Sequence, residues 1–243
     1  MCFTVAIIRK NTLEIASRYY DSLPAVKEKP PRGQELPLYY FVSGFSHPQL
    51  PIVKHDAIDI FEWGLIPVWV KDVQTADEIR SKTLNAVGET VFEKPSFRKS
   101  IATQRCLLPV DGFYEWRDVN GMKYPYFVHA TDNDLFSLGC IYETWVDKKT
   151  GVIRNTFSIL TTPANPLMEK IHNLKKRMPL IIPPRHENEW VDPLLNTEQI
   201  TALIKPFPES GLTAYTISRL ANNARNNRNT PEILKKVEYG ELF

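Results

Sequence analysis

Short apolar and β-branched runs punctuated by turn residues recur along the chain, and only a few brief stretches carry the three-to-four spacing of an amphipathic helix. Residues 3–8 read as a buried strand stopped by Asn11 and Thr12, and residues 12–20 as a short helix. Pro24, Pro30, Pro31 and Pro37 make the stretch that follows an extended surface connection. Residues 38–42, 58–63 and 64–70 read as strands or strand ends, broken at Gly64 and Pro67. Residues 89–102 show helical spacing of Val91, Phe92 and Ser96 around an internal Pro95. Strands are expected at 105–109, 113–119 and 123–130, the last two joined by Asn120-Gly121, a pair suited to the positive φ angles of a type I′ turn. A second hairpin is expected over 135–146 and 152–161, then a short helix at 165–172 and a strand at 178–182. A helix at 197–205 capped by Asn196, a strand at 212–217 and an Asn-rich loop at 222–230 complete the pattern. The fold class is α+β: one β-rich domain over residues 1–243, with short flanking helices and no internal repeat.

Composition narrows the function. With 243 residues, 43% hydrophobic and 24% charged, the chain is neither disordered nor fibrous. Its formal charge of +2 excludes a strongly basic polyelectrolyte, so a nucleic-acid site must be a local patch. Cys2, Cys106 and Cys140 have no CxxC spacing, which excludes a disulfide framework and a zinc ribbon and points to a reducing compartment. No leader pattern and no membrane-length apolar run is present, so a cytoplasmic location is expected.

Four places could carry chemistry. Removal of Met1 would leave Cys2 with an α-amine and a thiol on adjacent carbons. An α-amine, with a reference pKa of about 8, is partly neutral at physiological pH and can attack an aldehyde; the thiolate can then close on the imine to give a thiazolidine. An early cysteine can equally be a small buried hydrophobe. Glu115 lies between the rings of Tyr114 and Trp116, where desolvation would raise its pKa towards that of a general acid/base, although strand alternation favours a water-facing position. His172 is followed by Lys175, Lys176 and Arg177, a setting suited to a proton donor near a phosphate backbone or to a solvated surface histidine. Trp63 and Trp69 bracket a rigid segment whose rings would stack on unpaired bases if exposed and form core if buried. Cys106 and Cys140 read as core, and His47, His55, His129 and His186 share no metal-ligand spacing, so neither a metal nor a cofactor is expected.

Taken in order, these residues resemble the SRAP (SOS response-associated peptidase) family. The resemblance rests on Met1-Cys2, residues 63–69, Asn85-Ala86 with Glu89-Thr90, residues 105–116 ending Gly-Phe-Tyr-Glu-Trp, residues 159–183 from Ile-Leu-Thr-Thr-Pro through His172 to Arg177-Met-Pro, and a weaker echo at 218–232. It implies a barrel-like strand core with a positively charged groove and covalent attachment to abasic sites in single-stranded DNA; nothing in the sequence suggests an obligate oligomer, so a monomer is expected. Cys2 would be the nucleophile, Asn85 its positioning group, Glu115 the acid/base, and His172 the hydrogen-bond donor to the opened sugar. Trp63, Trp69, Arg98, Arg105, Lys175, Lys176 and Arg177 would contact DNA. The peptidase activity would be removal of Met1.

The chain also departs from the family pattern. The family's Cys-Gly-Arg is here Cys2-Phe3-Thr4, an arginine is replaced by Val87, and the loop from His172 to Arg177 is longer. Phosphate contacts would then fall to Arg80, Arg98, Lys99, Arg105 or residues 175–177. Two other classes fit the same residues: an N-terminal cysteine amide hydrolase, and a non-catalytic single-stranded nucleic-acid binding module.

Overall fold

The strand-forming runs assemble into two sheets in a computed structural model that describes residues 3–28 and 32–240. In chain order the strands are β1 (Thr4–Ile7), β2 (Tyr39–Ser43), β3 (Gln49–Val53), β4 (Ile58–Trp63), β5 (Asn85–Val87), β6 (Arg105–Val110) and β7 (Gly112–Val119). They continue with β8 (Met122–Ala130), β9 (Phe136–Val146), β10 (Ile153–Pro163), β11 (Arg177–Pro179), β12 (Ile181–Ile182) and β13 (Leu212–Thr216). β10 pairs with β4, β4 with β3, β3 with β6, β6 with β9, and β9 with β10 again, so these five strands close a barrel. Closure leaves the ring without free edges. β5 and β11 extend β10, and β12 extends β9. The second sheet runs β13-β8-β7-β1-β2 and is antiparallel throughout.

The chain crosses from barrel to second sheet at Asp111. Its carboxylate fixes the corner by accepting from Ile8 N and from Arg9 Nη2, each at 2.6 Å. At Gly112 an added Cβ would lie 2.3 Å from the Phe127 ring, so β7 approaches β8 this closely only because the residue is glycine. The next turn has φ of 53° at Asn120 and 81° at Gly121, as that dipeptide predicts.

The main core lies between the barrel and one face of the second sheet, where Val5, Phe113 and Val128 meet Leu108, Leu138 and Ile159. The sheet's other face is covered as well: Tyr114, Phe41 and Phe127 pack against Ile217, Ala221 and Ile233 of the C-terminal segment. β7 is therefore buried on both sides along its first half, and this decides the environment of Glu115.

The helices are α1 (Thr12–Tyr19), α2 (Pro24–Glu28), α3 (Val73–Arg80), α4 (Arg98–Thr103), α5 (Pro166–Ile171), α6 (Glu187–Val191) and α7 (Thr197–Leu203). α7 begins at the cap read from the sequence, Asn196, and α1 is capped by Asn11, which the sequence marks only as the stop of the first strand. Three expectations are corrected. Pro24 opens a helix because proline suits a first turn, and Leu23 and Val26 are buried there, so this part of the stretch is not extended. Residues 64–70 form no strand, since Gly64 has φ of 124° and the chain turns away from the sheet. Residues 89–102 split around Pro95 into a short turn and α4.

Candidate active site

β7 and α5 bring Glu115 and His172 together. Asn165 caps α5 by accepting from Met168 N at 2.8 Å, Pro166 fills its first position, and buried Met168 and Ile171 anchor its inner face. His172 follows at the C-cap and is 8% exposed. Its Nδ1 lies 2.8 Å from the Arg177 carbonyl oxygen and 3.8 Å from Glu115 Oε2. Glu115 is 3% exposed. The water-facing position that alternation favours is thus corrected: the barrel covers one face of β7 and the C-terminal segment the other, leaving no polar face at this residue.

Burial sets the electrostatics of the pair. It pushes the Glu115 carboxyl up to about 7, against the opposing pull of the Trp116 amide and the Lys175 ammonium. It pushes His172 down to about 4, helped by the charges of Lys175 and Arg177. At neutral pH the imidazole is uncharged, and because Nδ1 faces a carbonyl oxygen its proton resides there, leaving an acceptor at Nε2.

Both side chains line a groove of about 560 Å³ together with Phe3, Trp116, Lys123, Lys175 and Arg228. Phe3 arrives there because the β1–β7 register, Val5 to Phe113, carried two residues further opposes it to Glu115. Its ring packs on Phe45 at 5.0 Å. One lip of the groove is the loop after His172. Asn173 clamps it to β7 by accepting from Asp118 N at 3.0 Å and donating to Asp118 O at 2.8 Å, leaving Leu174 70% exposed beside Lys175.

The remaining sequence-derived candidates divide sharply. Cys2 lies outside the described residues. Asn85 starts β5, donates from Nδ2 to Leu84 O at 2.8 Å and is not among the residues lining the groove. Trp63 is corrected to a core residue: it is fully buried and donates to Leu84 O at 2.8 Å, so it cannot stack on a base. Arg105 is likewise corrected, being 2% exposed with its guanidinium bound to the carbonyls of Ile101, Ala102, Trp190 and Asp192. Arg177 is paired with Glu89 and donates to Thr161. Trp69 is half-exposed and donates to Pro95 O at 3.2 Å; it and exposed Arg98 stand apart from the groove lining. Lys176 is exposed with φ of 48°. Sequence reading missed Phe3, Lys123, Arg228 and the groove role of Trp116; only Trp116, adjacent to Glu115, carried a local signal.

A closed five-stranded barrel, a second sheet and a groove holding a buried carboxyl beside a neutral histidine define a class that the comparisons identify. The family model of the SOS response associated peptidase (SRAP) matches residues 1–224. The chain belongs to this family. It is 38% identical over 175 residues to abasic site processing protein YoqW of Bacillus subtilis, covering 71% of this chain and 74% of that one. It is 34% identical over 202 residues to abasic site processing protein YoaM of the same organism, covering 81% and 85%. The crystal structure of a protein from Bacteroides thetaiotaomicron superposes with a TM-score of 0.87 at 37% identity, covering 98% of this chain and 100% of that one.

Proposed function

We propose that this protein captures abasic sites in single-stranded DNA by forming a thiazolidine through Cys2 after loss of Met1. The observation that carries the reading is that Phe3, one residue after Cys2, lines the same groove as Glu115 and His172. No helix among the described residues is long and apolar enough to cross a membrane.

An abasic deoxyribose exists partly as a ring-opened aldehyde, and the Cys2 amine adds to C1′ to give a carbinolamine. Loss of water forms the imine; the thiolate then bonds to C1′ and the nitrogen gains a proton, closing the ring. Glu115, titrating near 7, is protonated in a large share of molecules at neutral pH and can donate to the departing hydroxyl and later recover a proton. With its Nδ1 proton on the Arg177 carbonyl, His172 would offer an acceptor at Nε2 towards the sugar, where the family resemblance implies a donor. Asn85 is assigned the positioning of Cys2 on the family motif.

A single-stranded abasic oligonucleotide mixed with wild-type, Cys2→Ser and Cys2→Ala protein tests this reading. Wild type is expected to give a heat-stable adduct, whereas both variants give only adducts that require borohydride trapping. A heat-stable adduct with Cys2→Ala would contradict the thiazolidine.

A further inference from the structure

This inference rests on the abasic-DNA reading and asks what holds the strand. Three of the basic residues that the sequence offers as substitutes for the absent arginines are committed elsewhere. Arg80 is held by Glu62 at 2.6 Å and Asp77 at 3.2 Å, Arg177 by Glu89, and Arg105 is buried on carbonyls. The C-terminal segment is different: residues 210–231 contain no Asp or Glu and carry Arg219, Arg225 and Arg228.

Arg228 reaches from this segment into the reaction groove. Its guanidinium lies 4.5 Å from the centre of the Phe41 ring, and Nη1 donates to Ala221 O at 3.2 Å. Among the described residues it forms no ion pair. A guanidinium placed by a ring face and one carbonyl keeps donors to spare, the arrangement that receives a phosphate without first breaking a salt bridge. Burial with no acid to offset it also pushes its pKa below the ordinary arginine value. Lys123 and Lys175 line the same groove.

The path continues beyond Arg228. Asn222 accepts from Trp116 Nε1 at 2.7 Å and donates to Lys123 O at 2.8 Å. It lines both the reaction groove and a second groove of about 500 Å³ whose walls include Arg219 and Tyr239. The Tyr239 hydroxyl accepts from Arg219 N at 2.8 Å and donates to Ile217 O at 2.9 Å. The Arg219 guanidinium lies 5.6 Å from the Tyr124 ring, which meets Tyr239 edge-on at 5.2 Å. Here too, among the described residues, the cation is placed by aromatic and backbone contacts and not by an acid.

We propose that the DNA strand leaves the reaction centre across Asn222, with Arg228 binding the phosphate beside the abasic sugar and Arg219, with Tyr239, binding the next phosphate along. The C-terminal segment is then the strand-tracking surface of this chain and supplies the contacts that Thr4 and Val87 do not.

Fluorescence anisotropy with a single-stranded oligonucleotide carrying a tetrahydrofuran lesion, which cannot crosslink, reads this binding apart from the covalent step. Arg228→Gln is expected to weaken binding about tenfold and to reduce the slope of log K against log salt by about 0.7, the value for one single-strand phosphate contact. Arg228→Lys keeps the charge and should restore the slope while recovering only part of the affinity. Arg219→Gln should weaken long oligonucleotides alone, leaving unchanged one trimmed to lack the next phosphate. Wild-type affinity and slope in Arg228→Gln, or equal affinity and slope in its Gln and Lys variants, would overturn the assignment. The second comparison decides the matter even if Arg228→Gln melts early. Adduct formation with a true abasic oligonucleotide is scored separately: Arg228-dependent binding without an adduct upholds this inference and refutes the thiazolidine.

Discussion

Glu115 Oε2 lies 3.8 Å from His172 Nδ1, yet the Nδ1 proton is directed to the Arg177 carbonyl at 2.8 Å. The two groups are therefore neighbours in one desolvated groove and not a proton-sharing pair. Burial acts on them in opposite senses, raising the acid and lowering the base, so both are neutral over the same interval below pH 7.

That relationship has a consequence for stability. From about 4.5, its ordinary value, to about 7, native Glu115 holds a proton that the unfolded chain has released, so its contribution to stability falls as pH rises through that window. His172 acts with the other sign: between about 4 and 6.5 the unfolded chain binds a proton that the native state refuses, so its contribution is lost as pH falls. Glu115→Gln removes the first term. Relative to wild type it should gain stability progressively from pH 5 to pH 8, by about 3 kcal/mol at the upper end. Thermal melts of both proteins across that range check it, and a constant difference would contradict the buried-acid assignment.

The pH dependence of the adduct rate should follow the same acid. Wild type is expected to show an inflection near pH 7 that Glu115→Gln abolishes, with the rate reduced about 100-fold. His172→Ala should slow the reaction by a similar order while leaving that inflection in place. Single-turnover rates on an abasic oligonucleotide, measured from pH 5 to 9, separate the two effects.

The two tryptophans should part company. Trp63→Phe removes the hydrogen bond to Leu84 O within the core and should cost about 1–3 kcal/mol of stability with DNA affinity unchanged in the folded fraction. Trp116→Ala, at the groove wall, should weaken single-stranded DNA binding by about 1–3 kcal/mol, the worth of one base stacked on its ring, and unchanged affinity would contradict that role. Melting and anisotropy on each variant distinguish the roles.

The loop after His172 offers a positional test. Asn173→Ala deletes both hydrogen bonds to the Asp118 backbone and should lower stability by about 1–2 kcal/mol. With the groove lip released, the DNA concentration for half-maximal adduct rate should rise while the maximal rate holds, since Glu115 and His172 keep their own supports.

Local pattern made the strands legible. Asn120-Gly121, the Asn196 helix cap and the alternating apolar runs each carry their own geometry, and the corresponding hairpin, helix start and strands stand close to where the pattern places them. Ring closure between β9 and β10 through β4, β3 and β6 depends on pairings far apart in sequence, which alternation does not encode. β3 was missed because Pro51 interrupts its apolar run, and α3 because its single buried residue, Ala76, gives almost no periodic signal. At the site, the motif singled out Glu115 and His172, whereas Trp63 and Arg105 were misassigned because residue type does not report burial. Arg228 stayed hidden for a related reason: it belongs to a loop whose closeness to the groove is created by packing on Phe41.

The most direct test of the central claim is the intact mass of the protein after incubation with a single-stranded oligonucleotide containing one abasic site. The account predicts a protein without Met1 and a one-to-one adduct lighter by one water than the sum of its parts, lost when the terminal amine is blocked. A protein that retains Met1 and yields no adduct under conditions where the oligonucleotide is bound would contradict it.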